Sequence, residues 1–430
     1  MINEVQLNKV KIGIIGLGVV GSSVVKALKK HSALIAKRSG VRLEITKASD
    51  ILNKKTLVGS AYTKNAHEVI NDPEISILIE TMGGVNPAKQ FVLSAIRSGK
   101  HIVTSNKELI AKHGKEIIDA AKKTGVRVLF EASVCGGIPI LRSIRESFAA
   151  NDISEISGIV NGTTNYILSK MTKDGISFET ALKQAQRLGF AEADPKMDID
   201  GSDAAYKAAI LAYVSSGSFV DPADIFKEGI SGISAEDIEY AREIGYVIKL
   251  LAIIKIRNNE MEVRVHPTLI EKDHPLAGVS DNYNAVFVKG DAVGKSMFYG
   301  EGAGGPPTAS AVLSDVIEIA ENLGGCCTTE PYYPPAKKMK IKDIGEIRSR
   351  YYIRLETPDT PGVLARISGV FSKKKISIQD VVQRESKGRY AQIVILLHEN
   401  REKDVQDALK IISKLPVVRH IHSVIRAGID

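Results

Sequence analysis

Through its first third the chain alternates short apolar runs with amphipathic stretches. The runs "VKIGIIG", "VRLEITKAS", "ISILIET", "KHIVTS" and "VRVLFEAS" have strand length and are rich in β-branched residues. Between them, "GSSVVKALKKHSALIAK", "PAKQFVLSAIRSG" and "KELIAKHGKEIIDAAKKTG" carry apolar residues at helical spacing. Apolar strands alternating with helices predict an α/β fold, a doubly wound, Rossmann-type parallel sheet. After Cys135 the pattern changes to longer helices with strands such as "EISGIVNGT", "MEVRVHPTLI" and "NAVFVKG", the signature of an α+β domain. "IGYVIKLLAIIKI" reads as a buried helix, interrupted by Lys249 and Lys255 and too short to span a bilayer. A Gly/Pro-rich stretch, "GEGAGGPPTAS", then opens another helix, "ASAVLSDVIEIAENL".

The last part reads strand, helix, strand, strand, helix, strand: "YYIRLET", "GVLARISGVFSKK", "SIQDVVQRE", "YAQIVILLH", "EKDVQDALKIISKL" and "RHIHSVIRA". That order is a ferredoxin-like βαββαβ module. The predicted domains are 1–135, completed by 305–323, for a dinucleotide; 136–304 for substrate binding and dimerisation; a Pro- and Lys-rich linker at 324–349; and the C-terminal module at 350–430.

Composition narrows the class without naming an activity. With 430 residues, 44% hydrophobic and 25% charged, the chain has the make-up of a soluble multidomain protein. The net charge of +8 is spread out and aromatics are 5%, so neither a nucleic-acid surface nor a stacking platform is expected. The three cysteines, Cys135, Cys326 and Cys327, form neither a disulfide framework nor a zinc spacing. The N-terminus shows no apolar signal core. A cytoplasmic location without membrane contact is the expectation.

Three features carry chemistry. "KIGIIGLGVVGSSV" sets Gly16, Gly18 and Gly21 as G-x-G-x-x-G between a strand and a helix, with Leu17, Val19 and Val20 between them. In that context it is a dinucleotide fingerprint, with the pyrophosphate on the helix N-terminus. The end of the second strand offers Lys47, Ser49, Asp50, Lys54 and Lys55, which leaves NAD and NADP open. "IVTSNKELIA" brings Ser105 and Lys107 to the carboxyl edge of the sheet, where ligands bind. "GFAEADPKMDIDGSDAAYK" gathers Glu192, Asp194, Asp198, Asp200 and Asp203 ahead of Lys207. Asp203 and Lys207 share one helix face, which by itself fits a plain surface pair. Asp194 and Asp200 read as turn or capping residues.

These residues lie within a longer likeness. "ETMGGVNPAKQ", "GKHIVTSNKELIA", "EASVCGGIPIL", "NGTTNYIL", "GFAEADPKMDIDGSDAAYKAAIL", "VRVHPTLI" and "GEGAGGPPTASAVLSD" resemble homoserine dehydrogenase, in order, from about Lys9 to Asn322. The tail "RLETPDTPGVLARISGVFSKKKISIQDVVQ" resembles an ACT domain, a small effector-binding module. The resemblance implies reversible NAD(P)H-dependent reduction of L-aspartate 4-semialdehyde to L-homoserine. It implies that Glu192 takes the substrate's amino group with Asp198 nearby in the substrate site, that Asp203 orients the substrate hydroxyl or the lysine, and that Lys207 protonates the developing alkoxide, with Lys107 as a second lysine able to share the acid/base role. Gly302 and Gly304 match the loop that closes on the cofactor. Glu131, Val134, Gly136 and Ile138 match a sodium loop of largely backbone carbonyls. Many family members carry arginine where this chain has Ser49, so the 2′-phosphate partner of NADP is weakened. The ACT turn holds Asp359, Pro361 and Gly362. A threonine effector and a homodimer or homotetramer are implied. The alternatives are a non-catalytic sensor of dinucleotide and amino acid, or an oxidoreductase acting on another amino-acid semialdehyde.

Overall fold

A computed structural model describes residues 8–323, 338–384 and 389–429. The first sheet contains β1 (Asn8–Ile15), β2 (Val41–Ser49), β3 (Tyr62–Thr63), β4 (Ile77–Glu80), β5 (His101–Thr104) and β6 (Val128–Leu129). They lie parallel in the order β3-β2-β1-β4-β5-β6. Ile12, Ile14, Ile77 and Ile79 are fully buried, as expected of strands covered by helices on both faces. The chain order reverses between β1 and β4, which opens a crevice at their carboxyl ends. The helix Gly305–Glu321 packs on the helix Val19–Ser39 and returns the chain to this sheet.

The second sheet contains β7 (Ile153–Ile159), β8 (Phe226–Lys227), β9 (Tyr246–Arg257), β10 (Glu260–Glu271), β11 (Tyr283–Gly290), β12 (Gly294–Glu301), β13 (Lys340–Ile341), β14 (Arg348–Pro358), β15 (Ile378–Gln383), β16 (Tyr390–Arg401) and β17 (His420–Ala427). Its path runs β12-β11-β7-β9-β10-β17-β14-β16-β15, with β8 and β13 also paired to β10.

The stretch expected as a buried helix is β9. It pairs with β10 along its whole length, from Tyr246 opposite Glu271 to Arg257 opposite Glu260. Ile248, Leu250, Ala252 and Ile254 enter one core while Leu251 and Ile253 enter another. A strand buried on both faces loses its polar alternation, and an apolar run then looks the same as a buried helix. Its Val and Ile content was the better guide. Lys249 is buried here, donating to Asn165 Oδ1 at 3.0 Å and to the Val279 carbonyl at 2.6 Å.

The C-terminal module has the expected strand and helix order, with helices Val363–Lys373 and Glu402–Ile412. It is not a bead on a tether. β17 pairs in parallel with β10 through Thr268 and Leu269, so one sheet runs through both domains. At the junction Arg354, Tyr352 and Ser423 converge on buried Asp237 of the neighbouring domain. Within the expected linker, residues 324–337, with Cys326 and Cys327, lie outside the described residues. Its remainder holds β13 and the start of β14.

Candidate active site

The glycine turn forms as its spacing requires. Gly16 has φ +94 and its Cα faces the Thr81 backbone, where a Cβ would come within 2.8 Å. A Cβ on Gly21 would lie 2.0 Å from the Gly16 carbonyl, so the helix Val19–Ser39 can approach the strand only with glycine there. No atom stands within 4 Å of the Cβ direction of Gly18, which borders open space. Leu17 is buried and its N–H donates to Asp50 Oδ2 at 2.6 Å; Val19 is exposed at the mouth. Beside the turn lies a cavity of about 520 Å³ lined by Gly16, Gly18, Ser49, Asp50, Lys64 and His67, among others. Lys54 and Lys55 are not among its lining residues. Asp50 also accepts from Leu52 N–H at 2.8 Å, which fixes its carboxylate at the end of β2.

A second cavity, about 450 Å³, lies across the crevice between the two sheets. Val20, Ser105, Lys107, Glu192, Asp198, Asp203, Lys207, Gly302 and Gly304 all line it. Near it, buried polar groups gather at the carboxyl edge of the first sheet, and of these Asn106 lines the cavity. Glu80 accepts from Thr104 Oγ1 at 2.6 Å and from Met82 N–H at 2.7 Å, and burial pushes its carboxyl above the usual range. Asn106 caps the helix Lys107–Thr124 by accepting from Leu109 N–H, and donates to the Gly84 carbonyl at 2.6 Å. This sets Lys107 in the first helical turn, pointing across the crevice.

The facing wall is the helix Ser202–Ser216. Asp203 is 2% exposed and sits between two ammonium groups. Lys207 Nζ donates to Asp203 Oδ2 at 2.8 Å and to the Val160 carbonyl at 2.6 Å, while Lys107 Nζ pairs with Asp203 Oδ1. Burial opposes the Asp203 charge, but Lys207 and Lys107 outweigh it and hold the carboxyl well below the usual range. Burial likewise works against the Lys107 ammonium, and Asp203 overcomes it, so that lysine is raised above the ordinary value. The two lysines differ in access: the Lys207 side chain is 10% exposed and that of Lys107 41%.

Asn161, which sequence reasoning passed over inside "NGTTNYIL", ties the carboxylates together. Its Nδ2 donates to Asp198 Oδ1 at 2.7 Å and to Asp203 Oδ2 at 2.8 Å, and its Oδ1 caps the following helix through Thr164 N–H. Thr163 Oγ1 adds a bond to Asp198 Oδ2 at 3.1 Å. An amide at a helix start is ordinarily a cap, so spacing alone gave no signal for this role. Glu192 lines the cavity from an exposed segment. Asp194 and Asp200 accept from Lys196 N–H and Ser202 N–H, as turn residues do.

The segment Glu131–Ile138 is buried except at Gly137 and turns through Cys135 and Gly136 at φ 52 and 33. Among the described residues no hydrogen bond reaches the Val134 or Gly136 carbonyl, while those of Glu131 and Ile138 each accept one N–H. Such a loop offers oxygen lone pairs to a hard cation. No cluster of three or more His, Cys, Asp or Glu side chains that could hold a metal occurs among the described residues.

A dinucleotide turn facing two lysines across a buried carboxylate, with a C-terminal ACT fold, defines an NAD(P)-dependent oxidoreductase. Family models match residues 139–317 as homoserine dehydrogenase, 16–131 as its NAD-binding domain and 351–417 as an ACT domain. The chain belongs to the homoserine dehydrogenase family. It is 40% identical to homoserine dehydrogenase of Bacillus subtilis over 409 residues, 94% of each chain. The crystal structure of a homoserine dehydrogenase from Thiobacillus denitrificans superposes with a TM-score of 0.93 at 41% identity, covering 98% of each chain. A hyperthermophilic archaeal homoserine dehydrogenase in complex with NADPH gives 0.62 at 29% identity, covering 72% of this chain and 97% of that one. Homoserine and aspartate semialdehyde are therefore its substrates. Among the described residues no helix is long and apolar enough to cross a membrane.

Proposed function

We propose that Lys207 delivers the proton to the alkoxide that develops at the aldehyde oxygen when the semialdehyde is reduced. An ammonium has three N–H donors. Val160 and Asp203 engage two of them, which leaves the third for a substrate oxygen in the cavity. The bound dinucleotide supplies or takes the hydride. Lys107 holds the far oxygen of Asp203, so that the carboxylate stays ionised and fixes both cations. Asp198 and Glu192 receive the substrate ammonium, which needs acidic partners once desolvated. The single observation that carries this reading is Asp203, buried between the two lysines in the second cavity, across the crevice between the sheets.

The cofactor reading favours NAD. A fixed Asp50 carboxylate at the end of β2 suits a ribose 2′-hydroxyl and repels a 2′-phosphate, and Ser49 supplies no cation. Lys64 is the cation lining that cavity. The Val134 and Gly136 carbonyls, with those of Glu131 and Ile138, would hold a sodium ion with a structural role. The ACT turn at Asp359, Pro361 and Gly362, which caps the helix Val363–Lys373, would bind threonine as a feedback effector in a cytoplasmic homodimer or homotetramer. The test is oxidation of L-homoserine by the purified protein, with NAD and with NADP, each with and without L-threonine. A higher kcat/KM with NAD and inhibition by threonine are expected. Preference for NADP would overturn the Asp50 argument, and indifference to threonine the effector assignment.

A further inference from the structure

The loop 226–230 touches the C-terminal domain on one side and the substrate segment on the other. On the first side stands Arg426 of β17, 5% exposed. Its Nε and Nη2 hold both oxygens of Glu402 at 2.8 and 2.7 Å, and Tyr351 donates to the same carboxylate at 2.8 Å. The remaining fork nitrogen, Nη1, crosses the domain boundary to Glu228 Oε2 at 2.9 Å, and the guanidinium lies 4.6 Å from the centre of the Phe226 ring. A planar guanidinium fixed at two nitrogens presents the third in a defined direction.

On the other side the same loop grips residues 199–202. Lys227 Nζ donates to Ser202 Oγ at 2.5 Å, and Ile230 N–H to the Ile199 carbonyl at 3.0 Å. Gly229 lies so close that a Cβ there would stand 2.1 Å from the Ile199 carbonyl oxygen and 2.7 Å from Asp200 Cα. Glu228 N–H is bonded to Val265 O at 2.8 Å, which fixes the loop against β10. The gripped residues are bracketed by Asp198 and Asp203, the carboxylates joined through Asn161.

We infer that Arg426, acting through Glu228 and the loop 226–230, is a positioning residue for the substrate carboxylates Asp198 and Asp203. The C-terminal domain thereby sets the geometry of the homoserine site by direct contact and leaves the dinucleotide site untouched. The inference rests on the reading of Asp198 and Asp203 as substrate-side groups, which loss of turnover in Asp203→Asn tests separately.

The experiment compares full-length wild type with Glu228→Gln, Gly229→Ala and a control, Arg350→Gln. Arg350 is also a cross-domain contact, to Glu271 at 2.8 Å and the Tyr246 hydroxyl at 3.2 Å, but it lies away from the loop. Glu228→Gln is expected to raise KM for L-homoserine roughly 3–30-fold, the range for couplings of this kind, with the dinucleotide Kd unchanged. Gly229→Ala should lower kcat/KM by about 100-fold, since small displacements of positioned groups cost that much. Hydrogen–deuterium exchange should quicken at 198–203 in Glu228→Gln, a readout that needs no turnover. Arg350→Gln should lower the melting temperature and leave both constants as they are. Unchanged KM and exchange in Glu228→Gln, or an equal rise of KM in Arg350→Gln, would overturn the inference and reduce Arg426 to a docking contact.

Discussion

Replacing Lys207 by methionine keeps the stem of the side chain and removes the ammonium. Two costs follow, of different kinds. The fold loses the bond to the Val160 carbonyl and one of the donors on Asp203, whose carboxylate keeps Lys107 and Asn161. One buried acceptor left unpaired costs about 1–3 kcal/mol, a loss of a few degrees in melting temperature for a chain of this size. Chemistry loses its proton donor, for which the general range is about 10²–10⁴ in rate, or roughly 3–5 kcal/mol at the reaction barrier. The assay is the initial rate of L-homoserine oxidation, read from reduced-nicotinamide absorbance, together with dinucleotide binding by fluorescence. The expected outcome is kcat lower by at least about 100-fold with dinucleotide Kd within a factor of about two of wild type, since Lys207 is not among the residues lining the cavity beside the glycine turn. A kcat within tenfold of wild type would refute the argument from the third N–H and transfer the role to Lys107. Collapse of dinucleotide binding alongside kcat would show that Lys207 acts on the fold.

Other perturbations test other parts of the molecule. Gly21→Ala forces a Cβ against the Gly16 carbonyl; it should destabilise by at least about 1–3 kcal/mol and weaken dinucleotide binding, measured by calorimetry. Ser49→Arg places a guanidinium at the edge of the cavity beside Asp50; one charge-assisted bond of about 1.5–3 kcal/mol should shift the NADP-to-NAD ratio of kcat/KM upward by roughly tenfold or more. For Lys249, burial lowers the ammonium from its ordinary 10.5 to about 8. The unfolded chain therefore binds more protons between about pH 8 and 10.5, and stability from this group rises with pH across that window, by on the order of 3 kcal/mol. Lys249→Met should abolish that rise, and denaturant unfolding from pH 7 to 10 measures it; identical slopes in the two proteins would sink the account.

What the sequence disclosed and what it hid follow from physical range. The glycine turn and the i,i+4 contact of Asp203 with Lys207 are local, fixed by the geometry of one turn or one helix; the burial of that pair, which spacing alone placed on the surface, comes from the walls packed around it. The order of the C-terminal strands is also local information. The approach of Lys107 to Asp203 joins residues from opposite walls of a crevice, and no periodicity encodes it; only the family resemblance put the two in one site. Asn161 was hidden because capping and bridging use the same side chain. β9 was misread because burial on both faces erases the alternation that marks a strand.

The pairing of β10 with β17 also bears on how the chain assembles. A chain made from its N-terminus presents β10 long before β17 exists, and the hydrogen-bonding groups near Thr268 and Leu269 wait for Arg426 and Ala427. Gly428 N–H then closes on the Leu269 carbonyl at 2.8 Å. Until then an unpaired strand edge is offered to any passing strand, including one from another nascent copy. Strand β17, His420–Ala427, is thus a stave laid late into the sheet that carries the catalytic domain, and a break in it strikes the enzyme's core.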